Sequence, residues 1–225
     1  MGTDNIFHKR KAKSAATLQR RAKKRDPYAK VLIVCEGQKT EPHYFNGLRN
    51  HYGLNTANVE VCGDCGSAPN SVLAYARQRY REEKDAGDAF DKVFCVFDKD
   101  AHPRYAEVMT AITAAKPSDV FVAINSVPCF EYWLLLHFTY STKPYQPLPR
   151  NSTGNQVLSD LCGYMPHYKK GADDTFSELI GQLEHAKPNA ERALREADIN
   201  GTDNPSTRVH ELVIYLQQIN NQHQL

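Results

Sequence analysis

Two short apolar runs, each followed by carboxylates, constrain the fold of this chain more than any other feature. Residues 30–35 read Lys-Val-Leu-Ile-Val-Cys and are followed by Glu36, and residues 91–97 read Asp-Lys-Val-Phe-Cys-Val-Phe and are followed by Asp98-Lys99-Asp100. Short runs rich in Val and Ile are typical of strands that are buried on both faces. Such strands need helices on both sides, so the chain is expected to fold as an α/β protein.

Strand-like and helix-like segments alternate through the first part of the chain. This alternation predicts a parallel sheet flanked by helices, joined by right-handed crossovers. The predicted strands cover residues 30–35, 58–62, 91–97 and 120–125, and the predicted helices cover 40–52, 69–84 and 105–116.

After residue 125 the alternation of strand-like and helix-like segments gives way to helix-like segments. Residues 130–138 are apolar on nearly all sides and predict a buried helix. A proline-rich loop over 141–151 precedes further helices at 153–162, 175–187, 189–197 and 207–219, with no further strand predicted. We therefore predict a basic N-terminal arm (1–27), an α/β domain (28–140) and a helical C-terminal region (141–225).

The strand-end carboxylates predict a metal site. Ligands of open α/β sheets bind at the carboxyl ends of the strands, where Glu36, Asp98 and Asp100 are expected to converge. Oxygen ligands suit Mg²⁺ or Mn²⁺, and such sites act mostly on phosphate esters. The alternative is a strand-end turn, in which Asp is common for backbone reasons.

Two further acids are candidates for the neighbourhood of these carboxylates. Glu131 lies in the apolar helix, where a charge is costly unless it is paired, so it should face the metal cluster as a catalytic group or meet a buried cation. Glu41 is a candidate beside these acids and is equally consistent with a first-turn acid that favours the helix dipole.

The net charge of +2 hides a strong asymmetry. Residues 1–25 contain nine Lys or Arg and one acid, whereas the remainder contains 19 basic and 25 acidic residues. A basic N-terminal segment on an otherwise acidic protein indicates binding to nucleic-acid phosphates. The alternative is that this segment is a solvated helix or a solubilising tail. The candidate nucleic-acid-binding residues are Lys9, Arg10, Lys11, Arg20, Arg21, Lys23, Lys24, Lys39 and Lys170.

Several classes of protein are disfavoured. No apolar run is long enough for a transmembrane helix, and the basic N-terminus lacks the apolar region of a secretory signal. The six cysteines suit a reducing compartment, so we expect a cytoplasmic protein without a membrane partner. Gly37-Gln38-Lys39-Thr40 lacks the spacing of a nucleotide-binding P-loop, so the chain should not hydrolyse ATP by itself.

At these residues the chain closely resembles the RloB family of bacterial proteins. One departure is Val127, where the family more often has Asn before the proline. The segments that carry the resemblance are Cys35-Glu36-Gly37-Gln38-Lys39-Thr40-Glu41-Pro42-His43-Tyr44-Phe45, Val96-Phe97-Asp98-Lys99-Asp100-Ala101-His102, Ser126 to Phe138, and Asn204-Pro205-Ser206-Thr207.

The resemblance implies a Toprim-like fold, the metal-binding core of topoisomerases and primases. In that pattern a Glu follows the first strand and an Asp-x-Asp follows a later one, as Glu36, Asp98 and Asp100 do here. The resemblance also implies a role in anti-phage defence, as a nuclease that acts with an AAA-type ATPase encoded nearby.

Three functions follow as hypotheses. The first is a Mg²⁺-dependent nuclease effector, which uses Glu36, Asp98, Asp100 and Glu131 on DNA or RNA. The second is a non-catalytic module that binds nucleic acid or the ATPase and retains the Toprim shell. The third is phosphoryl transfer to a small nucleotide, which the basic arm does not explain well. A homo-oligomer is compatible with each of the three.

Overall fold

The structure is a computed structural model that describes residues 29–66, 68–99 and 102–222. A five-stranded sheet in the order β2-β1-β3-β4-β5 forms its centre. The strands are β1 (Val31–Cys35), β2 (Val59–Cys62), β3 (Lys92–Asp98), β4 (Phe121–Val127) and β5 (Ser206–Thr207). The first four are mutually parallel and β5 is antiparallel to β4, so the predicted α/β class with a mostly parallel sheet is confirmed.

Eight α-helices accompany the sheet in the described residues. They are α1 (Thr40–His51), α2 (Pro69–Asp85), α3 (Tyr105–Thr113), α4 (Glu131–Leu135), α5 (Thr153–Cys162), α6 (Thr175–Leu179), α7 (Leu183–Ile199) and α8 (Val209–Gln222), with a 3₁₀ turn over Ile180–Gln182. Prolines near the start of α1 and at the start of α2 suit a first helical turn. Gly53 and Gly87, which follow these two helices, adopt the positive φ that commonly ends a helix.

The sheet buries both of its faces, as the apolar runs predicted. Val31, Ile33 and Cys35 of β1 join the larger apolar cluster, which also contains residues of α1 and α4 to α8. The alternating residues Leu32 and Val34 join a smaller cluster with α2 and α3. This alternation follows from the two-residue period of a strand. The larger cluster includes residues from both sides of residue 140, and the domain boundaries stay a prediction.

Two predictions about the C-terminal part were wrong. A fifth strand, β5, pairs with the end of β4 through Ser126–Thr207 and Val127–Ser206, although no strand was predicted there. A two-residue strand has too little pattern of its own to be recognised. The second error was a helix break at Pro188, which instead lies inside α7. The buried alanine face of α7 packs into the core, which offsets the hydrogen bond that proline cannot make.

The crossovers place a switch point between β1 and β3. From β1 the chain moves outward to β2, and from β3 it moves in the opposite direction to β4. Ligand sites of open α/β sheets lie at such a point, at the carboxyl ends of the strands. Glu36 follows β1 and Asp98 is the last residue of β3, so both acids are located at this position.

Candidate metal centre

The structure brings Glu36 and Asp98 together at the switch point. The backbone N–H of Glu36 donates to the carbonyl of Val96 at 2.9 Å, which extends the β1–β3 ladder by one step. The Glu36 carboxylate then accepts a hydrogen bond from the backbone N–H of Asp98 at 3.1 Å. Its other oxygen lies 3.1 Å from Nε2 of His102. Glu36 is therefore held from two sides.

Two buried carboxylates from other elements join this pair. Glu41 from the first turn of α1 is 7 % exposed, and Glu131 from the first turn of α4 is 2 % exposed. The sequence left the role of Glu41 open and did not include it among the predicted site residues. Its side chain lies directly over Gly37, where an added Cβ would collide with the Glu41 carboxylate. This placement depends on how α1 packs on the sheet, for which the sequence around Glu41 has no local signal.

The electrostatics of the site show that these carboxylates repel one another. Burial, followed by repulsion from Glu41 and Glu131, raises the pKa of Asp98 well above its usual value, although part of its surface stays exposed. Burial raises the pKa of Glu41 to about 7, and Glu131 and Glu36 add to this shift. Neighbouring like charges favour the protonated form unless a cation lies among them.

Lys170 provides one such cation. Its Nζ lies 2.9 Å from Oε1 of Glu131, and the Tyr168 hydroxyl lies 3.5 Å from the same oxygen. Burial by itself would lower the pKa of Lys170, but attraction to Glu131 raises it. Glu131 thus pairs with a half-exposed cation, whereas the prediction offered a buried one, and its role toward a metal stays a prediction.

The segment that carries Lys170 is attached to the start of α1. The N–H of Gly171 donates to Oγ1 of Thr40 at 3.0 Å, and Nδ1 of His43 lies 3.0 Å from the Gly171 carbonyl. Gly171 has a φ of +78°, and an added Cβ would lie 3.0 Å from Cβ of Lys39. This close approach explains why a glycine stands there.

A solvent-filled cleft opens at this end of the sheet. It has a volume of about 540 Å³ and is lined by Glu36, Gly37, Gln38, Lys39, Thr40, Glu41, Gly66, Lys170 and Gly171. Lys39 is exposed at its mouth and Lys170 is half exposed. Both candidate nucleic-acid-binding residues of the described chain therefore lie beside the acidic site.

The remaining predicted site residues lie outside the described residues. They are Asp100 and the arm residues Lys9, Arg10, Lys11, Arg20, Arg21, Lys23 and Lys24. Within the described residues, no group of three or more His, Cys, Asp or Glu side chains is arranged to hold a metal ion. The roles assigned to Glu36, Asp98, Asp100 and Glu131 stay predictions.

The fold and the site define an α/β protein with an acidic cleft at the switch point of a mostly parallel sheet. A family model described as RloB-like protein matches residues 31–216, which is most of the chain. The protein therefore belongs to the RloB-like family, as its motifs indicated. Searches of curated proteins and of solved structures found no significant match. In the part of the chain that the structure describes, no helix is long and apolar enough to cross a membrane.

Proposed function

We propose that this protein is a Mg²⁺- or Mn²⁺-dependent nuclease, the effector of a bacterial anti-phage defence system. The observation that carries the proposal is the convergence of Glu36, Asp98, Glu41 and Glu131 at the open end of the sheet. Buried carboxylates that repel one another are costly to the fold, and a divalent cation would remove that cost. An acidic cleft of this kind suits phosphodiester hydrolysis.

The chemistry of the donor atoms suits a hard divalent cation, although the described side chains do not by themselves form a group of three ligands. Carboxylate oxygens are the ligands that Mg²⁺ and Mn²⁺ prefer. Glu36 and Asp98 would hold the ion, with Asp100 as the third predicted ligand. When bound, the ion would supply an activated water and charge stabilisation at the phosphate.

The protein's own residues have distinct roles in this proposal. The Asp98 N–H and His102 each contact one carboxylate oxygen of Glu36 and so fix its orientation at the wall of the cleft. Lys170 neutralises Glu131, so the site can carry several acids without unfolding the start of α4. Lys39 and Lys170 give the cleft a positive rim that attracts phosphate.

The Toprim pattern and the resemblance to defence proteins support the biological part of the proposal. A Glu after the first strand and an Asp at the end of a later, adjacent strand follow that pattern. We propose an AAA-type ATPase as the partner that switches the nuclease on, because an unregulated nuclease would damage its own cell.

Metal binding and cleavage should be measured separately. We expect the full chain to bind Mn²⁺, observed by electron paramagnetic resonance, and to cleave DNA or RNA when the ATPase is present. Glu36→Gln and Asp98→Asn should each weaken Mn²⁺ binding by more than the roughly 10–100-fold that loss of an outer-shell partner causes. Glu178→Gln, at an exposed position of α6, is the matched control and should bind like the wild type.

Co-expression with the ATPase tests the effector role. The pair should be toxic to the host, and Glu36→Gln or Asp98→Asn should relieve the toxicity. Toxicity that persists in both variants would show that this chain is not the catalytic subunit. The module that binds nucleic acid or the ATPase without catalysis would then replace the nuclease as the function.

A further inference from the structure

A second charged surface lies on the opposite side of the sheet from α1 and α4. Two clefts open along α2, on the face where α2 and α3 cover the sheet. The first has a volume of about 230 Å³ and is lined by Pro69, Asn70, His102, Pro103, Arg104 and Val108. The second has a volume of about 510 Å³ and is lined by Ala74, Arg77, Tyr80, Arg81, Lys84, Lys116 and Phe121. Among the described residues, neither lining contains an acid.

The two clefts follow one stripe of α2. Asn70, Ala74, Arg77, Arg81 and Lys84 recur every three or four residues, which places them on one side of the helix. At a rise of about 1.5 Å per residue, the stripe is roughly 21 Å long. We call this stripe and the two clefts the α2 groove.

The cations of the α2 groove are exposed and make no ion pair with the described acids. Arg77 donates to the carbonyl of Ala111 at 3.1 Å, and Arg81 donates to the carbonyl of Arg77 at 3.3 Å. Lys84, Lys116 and Arg104 are likewise exposed. Within the described residues, none of these five forms a salt bridge. Their charges are available to a ligand.

The acids of α2 are mostly engaged elsewhere. Glu82 and Glu83 pair with Arg79, and Glu83 also pairs with Lys30. Asp85 lies one turn after Arg81 on α2, and Glu107 lies one turn before Ala111 on α3; neither lines the clefts. The charge of the groove is therefore strongly positive.

The groove also leads to the acidic site. His102 lines its first cleft, and Nε2 of His102 lies 3.1 Å from the Glu36 carboxylate. A nucleic-acid strand whose phosphates lie in the groove would thus reach the acidic site at Glu36. The rings of Tyr80 and Phe121 are only 7 % and 8 % exposed, so they support the floor and do not offer a stacking platform.

We propose that the α2 groove binds one strand of a nucleic acid through its phosphates, without sequence preference. Arg77, Arg81 and Lys84 span roughly 10 Å of α2. Together with Lys116 and Arg104 they can contact several successive phosphates. The proposal deepens the proposed nuclease function by naming the path of its substrate. It rests on that function only for the cleavage step.

Binding to a fluorescent single-stranded oligonucleotide tests the proposal. Fluorescence anisotropy is measured with the full chain in EDTA over a salt series, so that cleavage cannot contribute. Each phosphate contact adds roughly 0.7 to the slope of log affinity against log salt. The R77A/R81A/K84A variant should therefore lose roughly 2 from that slope, and Lys116→Ala should lose roughly 0.7.

The matched control removes the same charge from another surface. Lys143, Arg192 and Arg195 are exposed residues of the C-terminal part, and K143A/R192A/R195A should leave the slope close to that of the wild type. Equal losses in both triple variants would overturn the proposal, because bulk charge would then explain binding. An unchanged slope in R77A/R81A/K84A would overturn it as well.

Two further outcomes distinguish this proposal from an acidic-protein site and from the proposed nuclease function. If R77A/R81A/K84A keeps its affinity for the oligonucleotide but loses affinity for polyglutamate, the groove binds an acidic protein and the proposal fails. If the groove variant loses oligonucleotide binding while the wild type shows no cleavage with the ATPase, the groove stands and the proposed nuclease function fails.

Discussion

The two faces of the sheet are covered by helix layers that differ in thickness and in the sign of the charged side chains that they supply. One face is covered by α1, α4 and helices of the C-terminal part around the larger apolar cluster, whereas the other is covered by α2 and α3. The thick layer supplies the acids Glu41 and Glu131, and the thin layer supplies the cations of the α2 groove. A thick layer can bury carboxylates because it provides partners such as Lys170. A thin layer leaves long basic side chains in water.

The largest effect is expected from removal of Lys170, the half-exposed cation that pairs with the buried carboxylate of Glu131 in the thick layer. Lys170→Met should lower the free energy of unfolding by about 3 kcal/mol, at the low end of the range for breaking a buried pair, because the Glu131 side chain is only 3 % exposed. Glu131→Gln should cost less than about 1 kcal/mol, because the Lys170 side chain is 55 % exposed and becomes hydrated. Urea unfolding measures both. Equal losses of unfolding free energy in the two variants would contradict the conclusion that Glu131 is buried and Lys170 is half exposed.

One histidine of the thick layer should contribute a loss of stability in acid, in opposition to Glu41 and Asp98, whose raised pKa values favour the folded state as pH falls. Burial lowers the pKa of His137 to about 4, and its Nδ1 lies 3.1 Å from the carbonyl of Trp133. The unfolded residue binds a proton below about pH 6.5, so the stability contributed by neutral His137 is lost as pH falls from about 6.5 to about 4. The loss should reach about 3 kcal/mol.

The variant His137→Phe should remove the contribution of His137 to the slope of the unfolding free energy against pH. Urea unfolding between about pH 7 and about pH 5 measures this slope. Burial also lowers the pKa of His210, which should leave a residual slope in the variant. A variant with the full wild-type slope would contradict the assignment to His137.

The acidic cleft depends on close packing at two glycines. A Cβ at Gly63 would collide with Pro42 and lie 2.7 Å from the carbonyl oxygen of Gly37, so Gly63→Ala should cost about 1–3 kcal/mol. A Cβ at Gly37 meets only the flexible carboxylate of Glu41. Gly37→Ala should therefore cost less than about 1 kcal/mol and instead weaken Mn²⁺ binding. Thermal unfolding and Mn²⁺ titration distinguish the two, and a reversed order of stability would contradict the packing argument.

The smallest effect is expected in the thin layer. Glu107→Gln removes an exposed acid one turn before Ala111, whose carbonyl accepts a hydrogen bond from Arg77 of the α2 groove, and it should raise affinity for a single-stranded oligonucleotide by a few-fold, under about 1 kcal/mol. Glu178→Gln serves as the control and should change nothing. Weaker binding by Glu107→Gln would mean that the groove does not hold phosphates.

Much of the fold could be predicted because its signals are local. The runs of β1 and β3 carry their own apolar pattern, and the predicted strand ends differ from the observed ones by one or two residues. The helix predicted over 153–162 coincides with α5, whose Ser152 side chain accepts from the N–H of Asn155. The helix start is thus determined by neighbouring residues.

Other features were missed because they depend on residues that are distant in sequence. β5 exists only because β4 offers an edge for Ser206 and Thr207. The helix α7 continues through Pro188 because its alanine face is buried against the core. The position of Glu41 in the site depends on how α1 lies on the sheet, which a helix-start pattern does not report.

The α/β class and the position of Glu36 and Asp98 at strand ends could be read from the amino-acid sequence. Both follow from the two-residue period of buried strands and from the rule that parallel strands end at one edge of the sheet. The partners that meet there depend on the packed fold: Lys170 pairs with Glu131, Glu41 lies over Gly37, and the α2 groove lies beside His102. Burial and charge pairing depend on the packing of separate elements, and no local pattern contains that information.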